Sequence, residues 1–425
     1  MKTTIHERSQ VQRELEIFVD EAELQEAFDE AYKTMRPKLA LPGFRPGKAP
    51  MGMLKKMHGD AIEGEALEKL AQEKFREALE ENKIEPIGQP VMTDLHRHKG
   101  EGAHFKVVYE IPPVIELKDM SEVEVEKRII PVTDEDVDRT IERMRFRRAV
   151  REPITKIEDD QTVVKLSFKE VGVEDGREPG HSEEEVFLGD PDMLPNLKEA
   201  IIGHSVGDVI ELALPTRRKR GAEESEEKSE PAEITIVEAE KATLPELSEE
   251  LIKELSSDKV TTREEFGEMV RTELIEARAK AAEEDLEEHI VAKLLEMHDF
   301  EVPHSIVHAI THQMMEEAQQ ENTRHGFPAN YGIDEEEFHE RSMPAAQARG
   351  KWMLIREKLI ELDNIEATDE DLEKLAEAES LKYGVPKEGL LKYYSKYDTV
   401  KHRIVNEKLG ARLKEMVKVV EKVIN

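Results

Sequence analysis

The chain of 425 residues contains no cysteine, which excludes disulfides, thiolate nucleophiles and cysteine-based zinc sites together. Aromatic residues are scarce, at 5%, with one tryptophan. No apolar run approaches the roughly 18 residues of a membrane span, so no membrane partner is expected. Met1 to Gln10 is polar and lacks the apolar stretch of a secretory signal, which points to the cytoplasm. Positive charge is in deficit: 62 Lys and Arg stand against 96 Asp and Glu, a net charge of −34. That balance disfavours DNA and anionic membranes as general partners, because the average surface repels phosphate. It also keeps dispersed a protein that must expose apolar surface.

What is present is chain enough for about three domains. Apolar content of 38% beside charged content of 37% describes solvated helix faces around more than one core. Leu15, Ile17 and Val19 alternate as a half-buried strand, and Asp20 with Glu23 three positions on offers a helix start resembling a capping box. Helical spacing follows over Leu24 to Met35, ends at Pro42-Gly43, and resumes from Pro50 through Met57. A longer helix is predicted from about Asp60 to Asn82, then strands near 90–96 and 104–110. Residues 113–150 read as a linker with a charged arm helix, opened by Thr133-Asp134-Glu135-Asp136, that contributes to the C-terminal domain. Residues 151–243 are β-rich, with strands at Val163–Phe168, Val209–Leu214 and Ile234–Val237. Their low-complexity tract at 217–232 includes Arg217-Arg218-Lys219-Arg220, read as neutralised by the acidic run beside it. From 244 to 425 almost every segment has helical spacing, including 303–323, 344–362 and 399–423. The fold class is therefore multidomain α+β: an α+β first domain over 1–112, a β-rich middle domain, and an elongated all-α C-terminal domain with arms.

One window departs from the acidic background. From Ala31 to Gly59 there are seven cations and no Asp or Glu. At its centre lies Leu41-Pro42-Gly43-Phe44-Arg45-Pro46-Gly47-Lys48-Ala49-Pro50, a turn carrying one aromatic ring between cations. Its Gly43-x-x-x-Gly47-Lys48-Ala49 pattern is no phosphate loop. It is one residue short between glycines, has Ala49 where a metal-binding hydroxyl is needed, and follows a helix. Nucleotide, metal and other cofactors are thus not expected. An Arg fork and a Lys point charge with no acidic neighbour, beside a Phe able to stack, suit docking onto something anionic.

His304, His308 and His312 fall on one helix face at spacing i, i+4, i+8. Without a third ligand in view they read as a solvated stripe, not a zinc site. The methionines of the C-terminal helices (Met269, Met297, Met314, Met315, Met343, Met353) read singly as core, while adaptable Met and Leu on arms also suit a surface that accepts many sequences.

Gly43-Phe44-Arg45-x-Gly47-Lys48-x-Pro50, set after this strand and helix, resembles the ribosome-docking signature of the bacterial trigger factor family. Glu85-Pro86-Ile87-Gly88-Gln89-Pro90, Tyr109-Glu110-Ile111-Pro112-Pro113, Leu244-Pro245-Glu246-Leu247 and Asn364 to Glu370 extend the resemblance along the chain. It implies an ATP-independent chaperone on the large ribosomal subunit, with protein and rRNA at the exit tunnel as partners through Gly43, Phe44, Arg45, Gly47 and Lys48. Nascent and unfolded polypeptides would be its clients, held by the helical domain over 244–425, and a homodimer would form away from the ribosome. Pro46 stands where many members carry a third cation. The middle domain, 151–243, would be an FKBP-like prolyl isomerase, which needs only an apolar, aromatic pocket favouring the twisted imide. Here Leu194-Pro195-Asn196-Leu197-Lys198 replaces the family's Ile-Pro-Gly-Phe-Glu, and the flap falls in the charged tract. Pocket candidates are Phe168, Phe187, Leu194, Leu197 and Ile202, with Phe168 expected in the core, so weakened catalysis is expected. The rival readings are a protein acting chiefly as a prolyl isomerase and a ribosome-bound structural factor.

Overall fold

The alternation of Leu15, Ile17 and Val19 is realised in a computed structural model, where all three side chains are fully buried on one face of a strand. The structure describes residues 2–39, 44, 48, 50–98, 100–170, 181–190, 193–216, 228–324 and 328–424. In chain order the first elements are β1 (Lys2–Glu7), β2 (Gln12–Val19), α1 (Glu21–Met35), α2 (Met51–Asn82), β3 (Ile87–His98), β4 (Gly102–Glu110), β5 (Glu124–Ile129) and α3 (Asp134–Phe146). They continue with β6 (Val150–Pro153), β7 (Thr162–Glu170), β8 (His181–Phe187), α4 (Pro195–Ile201), β9 (Val209–Thr216) and β10 (Lys228–Thr243). Then come α5 (Glu249–Ser256), α6 (Arg263–Met297), α7 (His304–Arg324), α8 (Glu335–Leu362), α9 (Asp369–Tyr383), α10 (Lys387–Lys396), α11 (Thr399–Glu415) and β11 (Lys418–Val423). Among the described residues no helix is long and apolar enough to cross a membrane.

The elements form two compact units, Met1–Glu126 with Leu286–Val420 and Lys127–Asp285 with Glu421–Asn425. In the first unit, β1-β2-β4-β3 make an antiparallel sheet. Leu24, Phe28 and Tyr32 of α1 and Leu54, Ile62 and Ala71 of α2 close over its apolar face, where Phe105 and Val107 meet them. Asp20 caps α1 by accepting from the Ala22 and Glu23 amides, both at 3.0 Å, while the Glu23 carboxylate pairs with Lys74 of α2 at 3.4 Å. The two helices expected on either side of Gly59 are one helix of 32 residues. Gly59 is not a break there: a Cβ at that position would meet the Tyr32 hydroxyl at 3.2 Å, so the glycine lets α1 and α2 approach.

A second core in this unit joins Met120 and Val125 to Leu286, Ile290 and Leu294 of α6, Ile355 and Leu359 of α8, and Leu409 and Leu413 of α11. α8 starts at Glu335, earlier than the spacing indicated, because Asp334 caps it through the Glu337 amide at 2.9 Å; Pro344 lies inside it. The last helix stops at Glu415, short of the expected 423, and Lys418–Val423 pairs with β5 as a two-stranded sheet. Its Lys-Val-Val-Glu-Lys-Val sequence is β-branched enough to take a partner strand once one is offered.

In the second unit, β10 is the central strand, flanked by β6, β7 and β9 along its length, with β8 on β7. Val164, Leu166, Leu197, Ile201, Ile234 and Ile236 form its core. The Thr133–Asp136 segment makes a complete capping box. In the helix it opens, Val137 and Ile141 are buried with Ile252, Phe266 and Val270.

On the sheet of the first unit, Glu16 receives His104 at 2.7 Å, His6 at 3.2 Å and Lys106 at 3.5 Å. The bonds from His6 and His104 hold its carboxyl at about 2, well below the ordinary 4.5. A carboxyl depressed in the folded state contributes stability above its unfolded pKa and loses it as pH falls through the folded one. Stability should therefore decline between about pH 4.5 and 2 in part through this residue. Acid titration of Glu16→Gln, followed by circular dichroism, is expected to show a shallower decline across that window.

Candidate functional site

The basic window spans the gap between α1 and α2, and its ends are tied to the core. Leu39 donates its amide to the Met35 carbonyl at 3.1 Å, and Met35, Leu39 and Met51 all pack against the first core. Leu54, one turn into α2, is fully buried. Between these anchors Phe44 keeps 37% of its surface in water, and Lys48 is exposed. Gly43, Arg45 and Gly47 lie outside the described residues. Pro50 precedes α2 without a side-chain cap, and the first turn holds no acidic residue. The free amides and positive end of the helix dipole therefore add to the cations around them. Lys33, Lys38, Lys48 and Lys56 make no ion pair among the described residues, whereas Lys55 reaches Asp29 at 3.8 Å and lies over the Tyr32 ring at 4.9 Å. Met53 and Met57 stand 41% and 51% exposed along the same helix. The described residues of the window thus put an exposed ring and exposed lysines between two helices anchored in the core.

The base is held by a charged knot that no sequence spacing revealed. Tyr32 of α1 donates its hydroxyl to Glu63 of α2 at 2.7 Å, and Arg97 of β3 donates to the other Glu63 oxygen at 2.5 Å. The Arg97 guanidinium also lies 4.5 Å over the Phe28 ring. Burial, and then the bond to Glu63, holds the Tyr32 phenol protonated well above its usual range. For Glu63 burial opposes ionisation, but the bonds from Tyr32 and Arg97 outweigh it and lower its pKa.

The five pocket candidates of the middle region do not share one lining. Leu197 is core, Phe168 and Ile202 pack against that same core, and Leu194 is 40% exposed. Phe187 stacks on Phe146 of α3, with ring centroids 4.1 Å apart and planes 18° from parallel. Arg151 lies 5.4 Å over Phe146. Gly189 makes room for this stack, because a Cβ there would come within 2.5 Å of the Phe187 ring. Phe146 was not singled out in the sequence; its only signal is its place at the end of an amphipathic helix. Arg217 to Arg220 lie outside the described residues.

A cleft of about 730 Å³ opens in the first unit beside the start of α7. Phe300, Val302, Val307, Met343 and Pro344 give it apolar walls, and Gln12, Glu110, Glu301 and Lys351 line its polar side. Glu110, at the end of β4, accepts from the His304 and Ser305 amides, both at 2.9 Å, and from the Ser305 hydroxyl at 2.6 Å. It is the N-terminal cap of α7, supplied from a residue distant in sequence. His304 and His308 are exposed with ring centroids 6.4 Å apart, and His339 of α8 comes 5.8 Å from His308. Among the described residues no group of three or more His, Cys, Asp or Glu is arranged to hold a metal ion.

The family model described as bacterial trigger factor protein matches residues 1–144, and the model of its C-terminus matches 262–415. The trigger factor of Salinibacter ruber is 30% identical over 387 residues, covering 88% of this chain and 83% of that protein. That of Chlorobaculum tepidum is 32% identical over 390 residues, with 90% and 88% covered, and that of Chlorobium phaeobacteroides is 30% identical with 99% and 98% covered. A solved trigger factor chaperone structure aligns with 98% of both chains at 22% identity and a TM-score of 0.49, a likeness too loose to add to these matches.

Glu63→Gln removes the charge that Arg97 faces and weakens the bond from Tyr32. It is expected to destabilise the α1–α2 pair by about 2 kcal/mol, the usual scale for a hydrogen bond to a charged group. Hydrogen exchange of the α1 amides under native conditions reads the change directly; protection equal to that of the unmodified protein would show the knot to be idle.

Proposed function

The chain belongs to the trigger factor family of ribosome-associated chaperones, and we propose that it docks on the large ribosomal subunit through Phe44, Arg45 and Lys48, with Gly43 and Gly47 shaping the turn. The observation that carries this is a phenylalanine held in water within a window of seven cations and no acid. The hydrophobic effect works against such exposure, so the ring is kept for a partner. The cations select phosphate, hence rRNA beside the exit tunnel, and the ring fits an apolar crevice of a ribosomal protein. Emerging polypeptides then meet the helical region over 244–425, and the cleft walled by Phe300, Val302, Val307, Met343 and Pro344 offers apolar contact without any nucleotide-driven step. Adaptable Met and short aliphatic side chains suit clients of many sequences. The working place is the cytoplasm, in part on the ribosome. Away from it, a homodimer is a second state, readable by sedimentation velocity.

Co-sedimentation with ribosomes tests the docking site. Phe44→Ala combined with Arg45→Ala and Lys48→Ala is expected to abolish it while circular dichroism stays unchanged, since the described members of the set are exposed. Undiminished co-sedimentation would remove the assignment.

For the middle domain we propose an auxiliary, scaffold-like role over efficient prolyl isomerisation. Phe187 is engaged with Phe146, and Phe168, Leu197 and Ile202 serve the core. An isomerase must present apolar side chains to the substrate imide. Proline-limited refolding of a model protein with the full chain is expected to show little acceleration, and Phe187→Ala is expected to leave that residual rate within twofold. Strong acceleration lost on Phe187→Ala would make the protein an isomerase first.

A further inference from the structure

Four of the seven tyrosines lie between Tyr383 and Tyr397, in a chain where aromatics are rare. Tyr394 is buried and donates its hydroxyl to Glu379 at 2.5 Å, which accounts for it structurally. The other three are open to water: Tyr383 at 62%, Tyr393 at 53% and Tyr397 at 43%. Each directly follows a lysine, as Lys382-Tyr383, Lys392-Tyr393 and Lys396-Tyr397. Lys382 lies 5.3 Å over the Tyr383 ring and Lys396 lies 5.4 Å over that of Tyr397. One turn of α10 brings the Tyr393 and Tyr397 rings to 4.7 Å between centroids.

The charge here runs against the rest of the chain. From Ser380 to Lys401 five lysines face only Glu388 and Asp398. Lys387 is engaged by Glu373 and Glu377 of α9, at 3.9 and 3.8 Å, and Lys401 by Asp398 at 3.2 Å. Lys382, Lys392 and Lys396, the three beside open rings, make no ion pair among the described residues. Nothing in the core requires these rings outside: Leu372, Ala376, Tyr394, Val400 and Ile404 close the packing of α9, α10 and α11 without them.

We propose that this end of α9 and α10 is a binding surface for single-stranded RNA, separate from the docking loop. Two lysines lying over exposed rings, with Lys392 next in sequence to a third, match phosphates beside bases. Unpaired bases offer π-faces to stack on tyrosine, and the backbone offers one negative charge per nucleotide to lysine. A duplex hides its base faces and uses only the lysines. An unfolded polypeptide would use the rings and Leu381 but has no general need of the cations. On a chain of net charge −34, cations kept unpaired on the surface are the feature that selects an anionic ligand over an apolar one.

The test is fluorescence anisotropy of a short labelled uridine oligonucleotide with the full chain carrying Phe44→Ala, Arg45→Ala and Lys48→Ala, so that the docking loop adds nothing. Binding is expected to persist in that background and to weaken at least about tenfold when Tyr393→Ala and Tyr397→Ala are added, the scale of lost base stacking. Lys382→Gln with Lys392→Gln and Lys396→Gln is expected to flatten the salt dependence by about two in log–log slope, three phosphates at roughly 0.7 each. Circular dichroism and thermal melting should not move, because the substituted side chains are exposed. The proposal is overturned if the oligonucleotide does not bind, if its binding vanishes with the docking-loop changes alone, or if the tyrosine and lysine changes leave it intact. It is equally overturned if a permanently unfolded neutral protein displaces the RNA and loses its own binding with the tyrosines, which would make the patch a client surface.

Discussion

The junction of the first two helices with their sheet depends on the carboxylate of Glu63. That one group accepts from Tyr32 and Arg97, and so ties α1, α2 and β3 at a single point. A half-buried carboxylate with two charge-assisted or phenolic donors is directional in a way apolar packing is not. The helix pair it holds can be close because Gly59 has no side chain to meet the Tyr32 hydroxyl.

The distribution of charge follows a similar logic. A net charge of −34 surrounds exposed apolar side chains such as Met53, Met57 and Leu381 with like-charged surface. Against that background two places carry cations beside exposed rings, the loop at 41–50 and the Lys–Tyr pairs of α9 and α10. At physiological ionic strength fields decay over about 8 Å, so neither is cancelled by the acidic body at distance.

In the middle region an aliphatic core and one aromatic stack divide the packing between them. The strands around β10 retain a well-packed core of valine, leucine and isoleucine. Phe187 is stacked on Phe146, with Gly189 small enough to admit it. Stacking at 4.1 Å places the ring within the structure's own packing, where it holds α3 to β8.

Much of this was legible in the chain itself. Period-two spacing determined β2, Thr133 with Asp136 determined the start of α3, and the run of cations without acids set one window apart from the acidic chain, because these depend on neighbours in sequence. Tertiary structure alone decided that Gly59 is a point of helix contact and no break, since that depends on Tyr32 from another helix. It alone decided that Lys418–Val423 is a strand, since a β-branched hexapeptide takes the form of whichever partner is in reach. It alone brought Glu110 to the start of α7, His339 to His308 and Phe146 to Phe187, pairs whose members are far apart in the chain. Sequence periodicity reports which face of an element is apolar; which distant face it meets is set by how the cores close.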